Sequence, residues 1–279
     1  MTELEIKAYA KVNLTLDIVK KREDNYHDIN SVLHQVTLHD TILIRPSDKI
    51  IVQCKGVPEE GNLAYKAAYL LKRSFNIQAG AIIDIDKKIP IGGGLSGGSS
   101  DAASVLKALN ELWELDLNVR DLMKLGSELG MDVPFSVIGG TGIASNRGDI
   151  IEKIDSPALN FVLVNPGMNI SSKEAYQSLD LSKCGKAMST EKMIKAIQTG
   201  NVTDIAKNLH NDFETAISER YAFVIDIKKD LKANGALNSV MSGSGATVYG
   251  IFETKEKAKQ AYAELKHKYD FVCVAESVR

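Results

Sequence analysis

The sequence predicts an α+β protein with a strand-rich N-terminal part and alternating strands and helices in its second half. Three observations support this prediction. Strand-like runs dominate the first third of the chain, and five glycines within seven residues then introduce a regular amphipathic helix. Beyond residue 156 the expected order, apart from extra helices, is β-α-β-β-α-β, which is typical of a ferredoxin-like fold.

The first predicted strand alternates polar and apolar residues. One face carries Lys11, Asn13, Thr15 and Asp17, and we expect the opposite, apolar face to be buried. A charged loop follows at residues 20–28. Further strands are expected at 31–36, 41–44, 50–53 and 81–86, with a helix at 62–75.

A helix is predicted directly after the glycine cluster. Ser99 and Ser100 are available as its caps. Its apolar residues recur at steps of three and four, at Ala102, Val105, Leu106, Leu109, Leu112 and Trp113. The elements expected next are a helix at 119–129 that ends at Gly130, and strands at 141–145 and 150–154.

Ser156-Pro157 is the predicted boundary between an N-terminal lobe, residues 1–155, and a C-terminal lobe, residues 156–279. The elements expected in the C-terminal lobe are strands at 160–164, 237–241, 247–252 and 271–275, helices at 173–179 and 255–267, and several polar helices up to residue 233.

Composition narrows the class of function. Lys plus Arg is 34 and Asp plus Glu is 36, without a basic block, which argues against a nucleic-acid partner. No apolar run approaches the ~18 residues of a membrane span, and the first residues are acidic where a signal peptide is basic, so we expect a cytoplasmic protein with no membrane partner. The three cysteines are scattered and form no C-x-x-C pair, which favours reduced thiols.

The glycine cluster is the most informative segment. Glycine allows a close backbone approach to a ligand and positive φ, and the following helix offers unpaired N–H groups at the positive end of its dipole. Ser99 and Ser100 add hydroxyl groups. We therefore predict a phosphate-binding loop, because a flexible Gly/Ser linker would not lead directly into so regular an amphipathic helix.

Other nucleotide-binding patterns fit this segment less well. Gly92, Gly94 and Gly97 satisfy G-x-G-x-x-G, but a dinucleotide-binding unit needs an acidic residue after a second strand, ~20 positions later. Asp116 instead lies between two predicted helices. The G-K-[ST] ending of a P-loop and the H-R-D and D-F-G motifs of protein kinases are absent from the sequence.

The glycine segment resembles the nucleotide loop of the GHMP small-molecule kinases, whose pattern is P-x-x-x-G-L-x-x-S-S-x-A-A. The matching residues are Pro90, Gly94, Leu95, Ser99, Ser100, Ala102 and Ala103. Residues 8–14, Tyr26-His27, 130–135 and 241–247 are similar to the branch of this superfamily that phosphorylates 4-diphosphocytidyl-2-C-methyl-D-erythritol in the non-mevalonate isoprenoid pathway. The resemblance implies a two-lobed fold, with a ribosomal-S5-domain-2-like N-terminal lobe, a ferredoxin-like C-terminal lobe and ATP between them.

The resemblance also implies which residues carry the reaction. Asp132 would orient or deprotonate the acceptor hydroxyl, and Lys11 would hold that carboxylate and stabilise the developing charge. Phosphoryl transfer asks for such orientation and charge, and for little covalent chemistry. Taken singly, Lys11 fits a solvent-facing strand lysine equally well, and Asp132 fits a turn residue before Pro134.

The implied substrate contacts are Asn13, on the same strand face as Lys11, and three aromatic residues. Tyr26 and His27 resemble the pair that recognises cytidine, with the ring stacking on the base and the imidazole bonding to its edge. Tyr176 matches the second aromatic, on the opposite face of the base. Taken singly, Asn13 fits an amide bonded to backbone, Tyr26-His27 a surface loop and Tyr176 a core residue.

ATP is the implied phosphoryl donor. Asn62 and Lys88 resemble the adenine-side positions, and Gly243-Ser244-Gly245 lies between two predicted strands, where backbone N–H groups can face phosphates. A simple hairpin is the alternative for that turn. The loop residues implied to bind ATP are Pro90, Ile91, Gly92, Gly93, Gly94, Leu95, Ser96, Gly97, Gly98, Ser99 and Ser100.

Mg²⁺ is expected to arrive with ATP and to be held mainly by its phosphates. His34 and His39 lie five residues apart without a carboxylate-histidine signature, so we do not expect a catalytic metal site built from them.

Three residues depart from the family pattern. Ser96 stands where Gly or Ala is common, and Asn25 replaces a frequent glycine, although asparagine tolerates the left-handed conformation well. Met131 is bulkier than the usual Ala or Ser, so the packing behind Asp132 is expected to differ.

Two alternative functions remain open from the sequence. One is a GHMP kinase that acts on homoserine or a mevalonate derivative, against which the aromatic set argues, because a ring clamp suits a cytosine base. The other is a non-catalytic nucleotide- or RNA-binding module, against which the missing basic patch argues.

Overall fold

The computed structural model describes residues 3–278, and contacts within the chain divide them into two compact units. The first unit contains the chain up to Ala10, His39–Ile89 and Ser96–Gly139; the second contains Lys11–Leu38, Pro90–Leu95 and the chain from Gly140 onward. Strands β1 (Leu4–Lys21) and β2 (His27–Ser47) contribute residues to both units. These units are discontinuous along the sequence, whereas the lobes predicted at 1–155 and 156–279 are contiguous, and that boundary stays a prediction.

The first unit packs helices against strands. Strand β3 (Ile51–Cys54) runs parallel to β4 (Gly80–Asp86), which pairs antiparallel with β2 from Thr41 to Ser47. The helices are α1 (Leu63–Ser74), α2 (Gly97–Leu112), α3 (Val119–Leu129) and α4 (Val133–Ile138), and a 3-10 turn at Glu59–Gly61 precedes them. Buried strand residues such as Ile42 and Ile83 join one apolar core with helix residues such as Leu71 and Leu106.

The second unit contains a four-stranded antiparallel sheet in the order β11-β7-β10-β9. Its strands are β7 (Asn160–Asn165), β9 (Asn238–Met241), β10 (Val248–Phe252) and β11 (Phe271–Glu276). The helices are α5 (Ser172–Gln177), α6 (Ser189–Thr199), α7 (Val202–Lys207), α8 (Phe213–Arg220), α9 (Phe223–Ala233) and α10 (Lys255–Leu265). The β-α-β-β-α-β order with extra helices, and with it the α+β class, is confirmed.

Three shorter strands complete the second unit. Strand β5 (Thr141–Ser145) pairs antiparallel with β2 and with β6 (Ile150–Ile154). Strand β8 (His210–Asn211) pairs parallel with β1, with Thr15 opposite His210. Within residues 3–278, no helix combines the length and the apolar character that crossing a membrane requires.

The predicted caps of α2 are wrong. The helix begins at Gly97, so Ser99 and Ser100 lie inside its first turn, and the Ser100 hydroxyl donates to the Tyr9 carbonyl at 2.6 Å. The N-cap is Ser96, in the left-handed region at φ +56° with no capping hydrogen bond from its side chain. Glycine is a poor helix former in a helix interior, but the first turn makes few intrahelical bonds, which is why Gly97 and Gly98 begin this helix.

Two further differences concern strand β2 and helix α4. The runs predicted at 31–36 and 41–44 form one continuous strand, because the polar residues between them are accommodated within it; Asp40 among them is fully buried. Helix α4 was not predicted, because its six residues are too short for a helical period to stand out.

Candidate active site

The polar face of β1 holds Lys11 and Asn13 inside the protein. Lys11 is 5% exposed, and its Nζ donates to Asn13 Oδ1 at 2.7 Å. Asn13 Nδ2 donates in turn to Ser31 Oγ at 3.0 Å, and the Tyr249 hydroxyl donates to the Asn13 carbonyl at 2.8 Å. The prediction that Lys11 and Asn13 share a face is confirmed, and Lys11 is not a solvent-facing strand lysine. Because a buried charge needs partners, this ammonium is fixed in place.

The first half of the glycine loop, Pro90–Leu95, is bound along the strand and a distant turn. The Lys11 N–H donates to the Leu95 carbonyl at 3.1 Å. The Thr247 N–H donates to the Gly93 carbonyl at 3.1 Å, and Ser242 Oγ donates to the Gly94 carbonyl at 3.0 Å. One backbone hydrogen bond therefore connects the loop to the strand that carries Lys11, and two further hydrogen bonds connect it to the turn at 242–247.

Two of the loop glycines are required by this close packing. Gly94 has φ +75°, and a Cβ there would lie 2.2 Å from the Ser242 carbonyl oxygen. A Cβ on Gly93 would lie 2.9 Å from Asn165 Nδ2. Gly98 differs, since a Cβ there would lie 3.7 Å from Leu63 Cδ1, an ordinary contact. The glycines at 93 and 94 thus serve protein packing, whereas packing leaves Gly98 free to serve a ligand.

The turn at 242–247 connects β9 to β10, with Met241 opposite Val248. Both of its glycines, Gly243 and Gly245, have positive φ, at +55° and +87°. Asn211 Nδ2 donates to the carbonyls of Met241 and Gly243, at 2.7 and 2.8 Å. The predicted turn between two strands is therefore present and rigidly held; its contact with phosphates stays a prediction.

The second half of the glycine loop is the start of α2. Its first residues, Gly97, Gly98 and Ser99, present N–H groups at the N-terminus of a 16-residue helix, where the helix dipole favours an anion. The Ser96 side chain donates to Asp132 Oδ2. A residue that departs from the family pattern thus places a hydroxyl against the predicted catalytic carboxylate.

Asp132 directly precedes α4, and its side chain makes no capping bond to that helix. Ser136 Oγ donates to the Asp132 carbonyl at 3.1 Å, and the Asp132 carboxylate accepts from Ser96, the N-cap of α2. Asp132 therefore does more than form a turn before Pro134. The joint action of Asp132 with Lys11 stays a prediction.

Two of the predicted substrate residues are brought together. The rings of His27 and Tyr176 stack at a centroid distance of 4.6 Å, 14° from parallel, and Tyr176 meets the edge of Phe213 at 4.8 Å. Burial, with a smaller effect of the Lys21 charge, lowers the pKa of His27 and favours its neutral imidazole.

Tyr26 is exposed to 47%, and the guanidinium of Arg147 lies 5.2 Å from its ring centroid. Arg147 was not among the predicted site residues, because nothing in its local sequence distinguishes it. Asn25 has φ +65°, so the expectation that asparagine takes the place of glycine in the left-handed region is confirmed.

The adenine-side residues have partners of their own. Asn62 is buried and caps α1, with its Oδ1 accepting from the Ala64 N–H at 2.9 Å. Lys88 is exposed, and its Nζ lies 3.1 Å from Asp86 Oδ2. Neither contact concerns a nucleotide, so the role of both residues stays a prediction.

A second polar cluster was missed from the sequence. One ligand atom each of Asp17, His210 and Asp212 lies within 4.8 Å of the others, a spacing that suits a metal ion. Protein donors already engage both carboxylates. Asp17 accepts from the hydroxyl of Ser189 at 2.5 Å and from the N–H of Thr190 at 2.9 Å, and Asp212 accepts from the N–H groups of Ile18 and Gly185 at 2.7 and 2.8 Å. Asp17 therefore holds the start of α6. Only Asp17 had a signal, its place on the polar face of β1.

His34 and His39, from which no metal site was expected, contact other protein groups. His34 is buried between Thr141 Oγ1 and Ser277 Oγ, each 2.8 Å from a ring nitrogen, and burial lowers its pKa to about 4. His39 meets the ring of Tyr9 edge-on at 5.4 Å.

Family models identify both halves of the chain. The model described as the GHMP kinases N terminal domain matches residues 62–140, and the GHMP kinases C terminal model matches residues 193–270.

Curated relatives match over nearly the whole chain. The 4-diphosphocytidyl-2-C-methyl-D-erythritol kinase of Caldanaerobacter subterraneus is 42% identical over 279 residues, covering 99% of this chain and 97% of the relative. The enzyme of the same name from Caldicellulosiruptor bescii is 44% identical, over 94% of each chain.

Solved structures of kinases superpose on nearly the whole of this chain. A crystal structure of 4-(cytidine 5'-diphospho)-2C-methyl-D-erythritol kinase superposes with a TM-score of 0.87 at 28% identity, covering 99% of this chain and 100% of the other. The homoserine kinase of Cytophaga hutchinsonii superposes with a TM-score of 0.76 at 20% identity, over 100% of this chain and 95% of the other. The latter similarity is one of fold alone.

Proposed function

We propose that this chain, which belongs to the GHMP kinases and within them to the 4-diphosphocytidyl-2-C-methyl-D-erythritol kinase family, transfers the γ-phosphoryl group of ATP to the 2-hydroxyl of that substrate. ATP-dependent phosphorylation of an alcohol in the non-mevalonate pathway follows from the family; the choice of hydroxyl and the roles of the residues are the proposal. The observation that carries it is the buried Lys11–Asn13 pair on the strand to which the glycine loop is bound.

Asp132 orients or deprotonates the acceptor hydroxyl. The hydrogen bond from Ser96 limits the rotation of its carboxylate, which supports a positioning role. Lys11 stabilises the charge that develops during transfer, and its bond to Asn13 keeps the ammonium in one place, so that little reorganisation is needed. Asn13 contacts the substrate beside it.

The ATP phosphates bind at the glycine loop. The first turn of α2 supplies N–H groups and the positive end of a dipole, and the Gly243-Ser244-Gly245 turn supplies further N–H groups. Asn62 and Lys88 contact the adenine side. The loop residues involved are Pro90, Ile91, Gly92, Gly93, Gly94, Leu95, Ser96, Gly97, Gly98, Ser99 and Ser100.

Mg²⁺ accompanies ATP and is held mainly by the phosphates. The groups near the loop that fit this ion are the Asp132 carboxylate and the Ser96 hydroxyl, because Mg²⁺ prefers hard oxygen ligands. When bound, the ion neutralises part of the charge on the transferring phosphoryl group.

Tyr26, His27 and Tyr176 recognise the cytosine ring. A neutral imidazole offers one donor and one acceptor to the edge of the base, and the lowered pKa of His27 keeps it in that form near neutral pH. The exposed ring of Tyr26 offers a stacking surface, and Tyr176, one face of which is covered by His27, contributes its other face. In this proposal ATP and the cytidyl substrate are the partners, and the reaction takes place in the cytoplasm.

The test is ADP release with Mg-ATP, measured in parallel on 4-diphosphocytidyl-2-C-methyl-D-erythritol, homoserine and mevalonate. Asp132→Asn is expected to lower kcat by about 10² to 10⁴, with a modest change in the KM for ATP. Asp116→Asn is the matched control, because this residue lies between α2 and α3 at φ +53°, a conformation that asparagine adopts readily.

Turnover confined to the cytidyl substrate, lost in Asp132→Asn and kept in Asp116→Asn, would support both the acceptor and the role of Asp132. Wild-type turnover in Asp132→Asn would exclude that role. Turnover on homoserine or mevalonate instead would support ATP-dependent phosphorylation but exclude the recognition of a cytosine ring by the three aromatic residues.

A further inference from the structure

A buried ionic cluster lies beside the glycine loop in the first unit. Lys87 Nζ is 2.5 Å from Asp40 Oδ2 and 2.8 Å from Asp101 Oδ2. Asp40 is fully buried on β2, Asp101 is 3% exposed in α2, and the Lys87 side chain is 11% exposed just after β4. One ammonium therefore joins a strand, a helix and the segment that leads into the loop.

Asp40 fixes the backbone immediately before the loop. Its second oxygen, Oδ1, accepts from the N–H groups of Lys88 at 2.5 Å and Ile89 at 2.8 Å. Ile89 is itself buried and directly precedes Pro90, the first loop residue. The path of the chain into the loop is thus set by three hydrogen bonds to one carboxylate.

Lys87 also contacts the second half of the loop, at the start of α2. A Cβ on Gly97 would lie 3.2 Å from Lys87 Nζ and 3.1 Å from Ile89 Cβ, so the ammonium packs directly against the first turn of α2. The same ammonium donates to Asp101 in α2 and to Asp40 on β2, and it thereby connects this turn to Asp40. The segment before the glycine loop and the start of α2 are thus held by the same cation.

Burial of this ionic cluster costs free energy of folding. Two carboxylates surround one ammonium, and burial raises the pKa of Asp101 to about 7, an effect that Asp40 increases and Lys87 opposes. Within residues 3–278, Asp101 Oδ1 has no hydrogen-bond partner. A buried ion pair is seldom better for stability than apolar residues of the same size, so its value lies in fixing geometry.

We infer that Lys87, held by Asp40 and Asp101, is a positioning residue for ATP that keeps the start of α2 in register with the entry to the glycine loop. The inference rests on the proposed function, because it takes the glycine loop as the phosphate site. Lys87 itself does not contact the reacting atoms. Loss of the hydrogen bond between Lys87 and Asp101 displaces the phosphate-binding N–H groups and weakens ATP binding. The residues proposed to bind the cytosine ring, Tyr26, His27 and Tyr176, lie in the second unit and keep their contacts.

The test compares Asp101→Ala with Asp101→Asn. Both substitutions remove the same charge, but the asparagine carbonyl still accepts from Lys87, so the pair isolates the hydrogen bond. Asp101→Ala is expected to raise the KM for ATP by about tenfold, with the KM for the cytidyl substrate within about twofold, and Asp101→Asn is expected to restore the wild-type value.

A control for loss of a cation is Lys107→Met, which removes a partly buried ammonium further along α2, 3.5 Å from the Ser136 carbonyl. It is expected to leave both KM values unchanged. Lys87→Met is expected to raise the KM for ATP as Asp101→Ala does. This variant leaves two buried carboxylates without their cation, so it can fail to fold. In that case the comparison of Asp101→Ala with Asp101→Asn tests the inference by itself.

Binding of ATP measured by calorimetry separates this inference from the proposed function. Wild-type protein that binds ATP and turns over, together with an Asp101→Ala protein of equal ATP affinity, would overturn the inference only. Identical behaviour of the alanine and asparagine variants, or a parallel rise of both KM values, would also overturn it. Wild-type protein that does not bind ATP would overturn the proposed function, and the inference with it.

Discussion

Substitution of Gly94 by alanine tests the conclusion that this glycine serves packing. At φ +75° an L-residue costs about 1 to 2 kcal/mol. The new Cβ, 2.2 Å from the Ser242 carbonyl oxygen, also forces the loop away from the turn, which breaks the bonds from Ser242 and Thr247. Each of those bonds contributes about 0.5 to 1.5 kcal/mol.

The expected loss of unfolding free energy is therefore about 2 to 5 kcal/mol. For a chain of this size it lowers the Tm by roughly 5 to 15 °C. The assay is thermal unfolding followed by circular dichroism, with Gly98→Ala as the matched change four residues later. Gly98 lies in α2 with room for a Cβ, so alanine there is expected to stabilise by about 0.5 to 1 kcal/mol.

The two variants also separate packing from binding. Gly98→Ala is expected to raise the KM for ATP without loss of stability, because a Cβ in the first turn of α2 limits how closely a phosphate can approach the backbone N–H groups. A Gly94→Ala protein with the wild-type Tm would refute the assignment of Gly94 to packing, and an unchanged KM in Gly98→Ala would refute the assignment of Gly98 to the ligand.

Two further predictions concern the second unit. The hydrogen bond to Asp212 raises the pKa of His210 above 6.5, so its stabilising effect is present at low pH and is lost as the pH rises through the folded-state pKa. Urea unfolding should thus show a larger deficit for His210→Gln at pH 6 than at pH 8, and an equal deficit at both would contradict this. Tyr249→Phe removes the donor to the Asn13 carbonyl at a buried site and is expected to cost about 1 to 2 kcal/mol, which an unchanged urea midpoint would contradict.

Local pattern predicted the elements whose signals are local, and it failed where a distant contact decides the structure. The helix expected at 62–75 is observed at Leu63–Ser74, since its apolar spacing and the Asn62 cap are local signals. The strand break expected between residues 36 and 41 is absent. Asp40 interrupts the apolar pattern there, and its burial depends on Lys87, whose position 47 residues later no local pattern reveals.

In the candidate site, too, local patterns predicted some features and contacts between distant residues determined the others. The face shared by Lys11 and Asn13 follows from the period of a strand, and the anion-binding helix start follows from the glycines before an amphipathic run. The bond from Ser242 to the Gly94 carbonyl joins residues 148 positions apart, and it decides which glycine serves the protein and which remains for a ligand. That assignment needed the folded structure.

The pairing of β1 with late segments determines when the enzyme can first become active during synthesis. The Ile18 N–H bonds to Asp212, 194 residues later, and the Asn13 N–H bonds to Ser242, 229 residues later. A nascent chain that has not yet reached residue 242 has neither the turn that holds the glycine loop nor the serine that contacts Asn13. Such distant pairings fold late and slowly. Lys11 emerges from the ribosome long before Ser242 and Thr247, so the surroundings of its ammonium are completed only after most of this sequence has been synthesised.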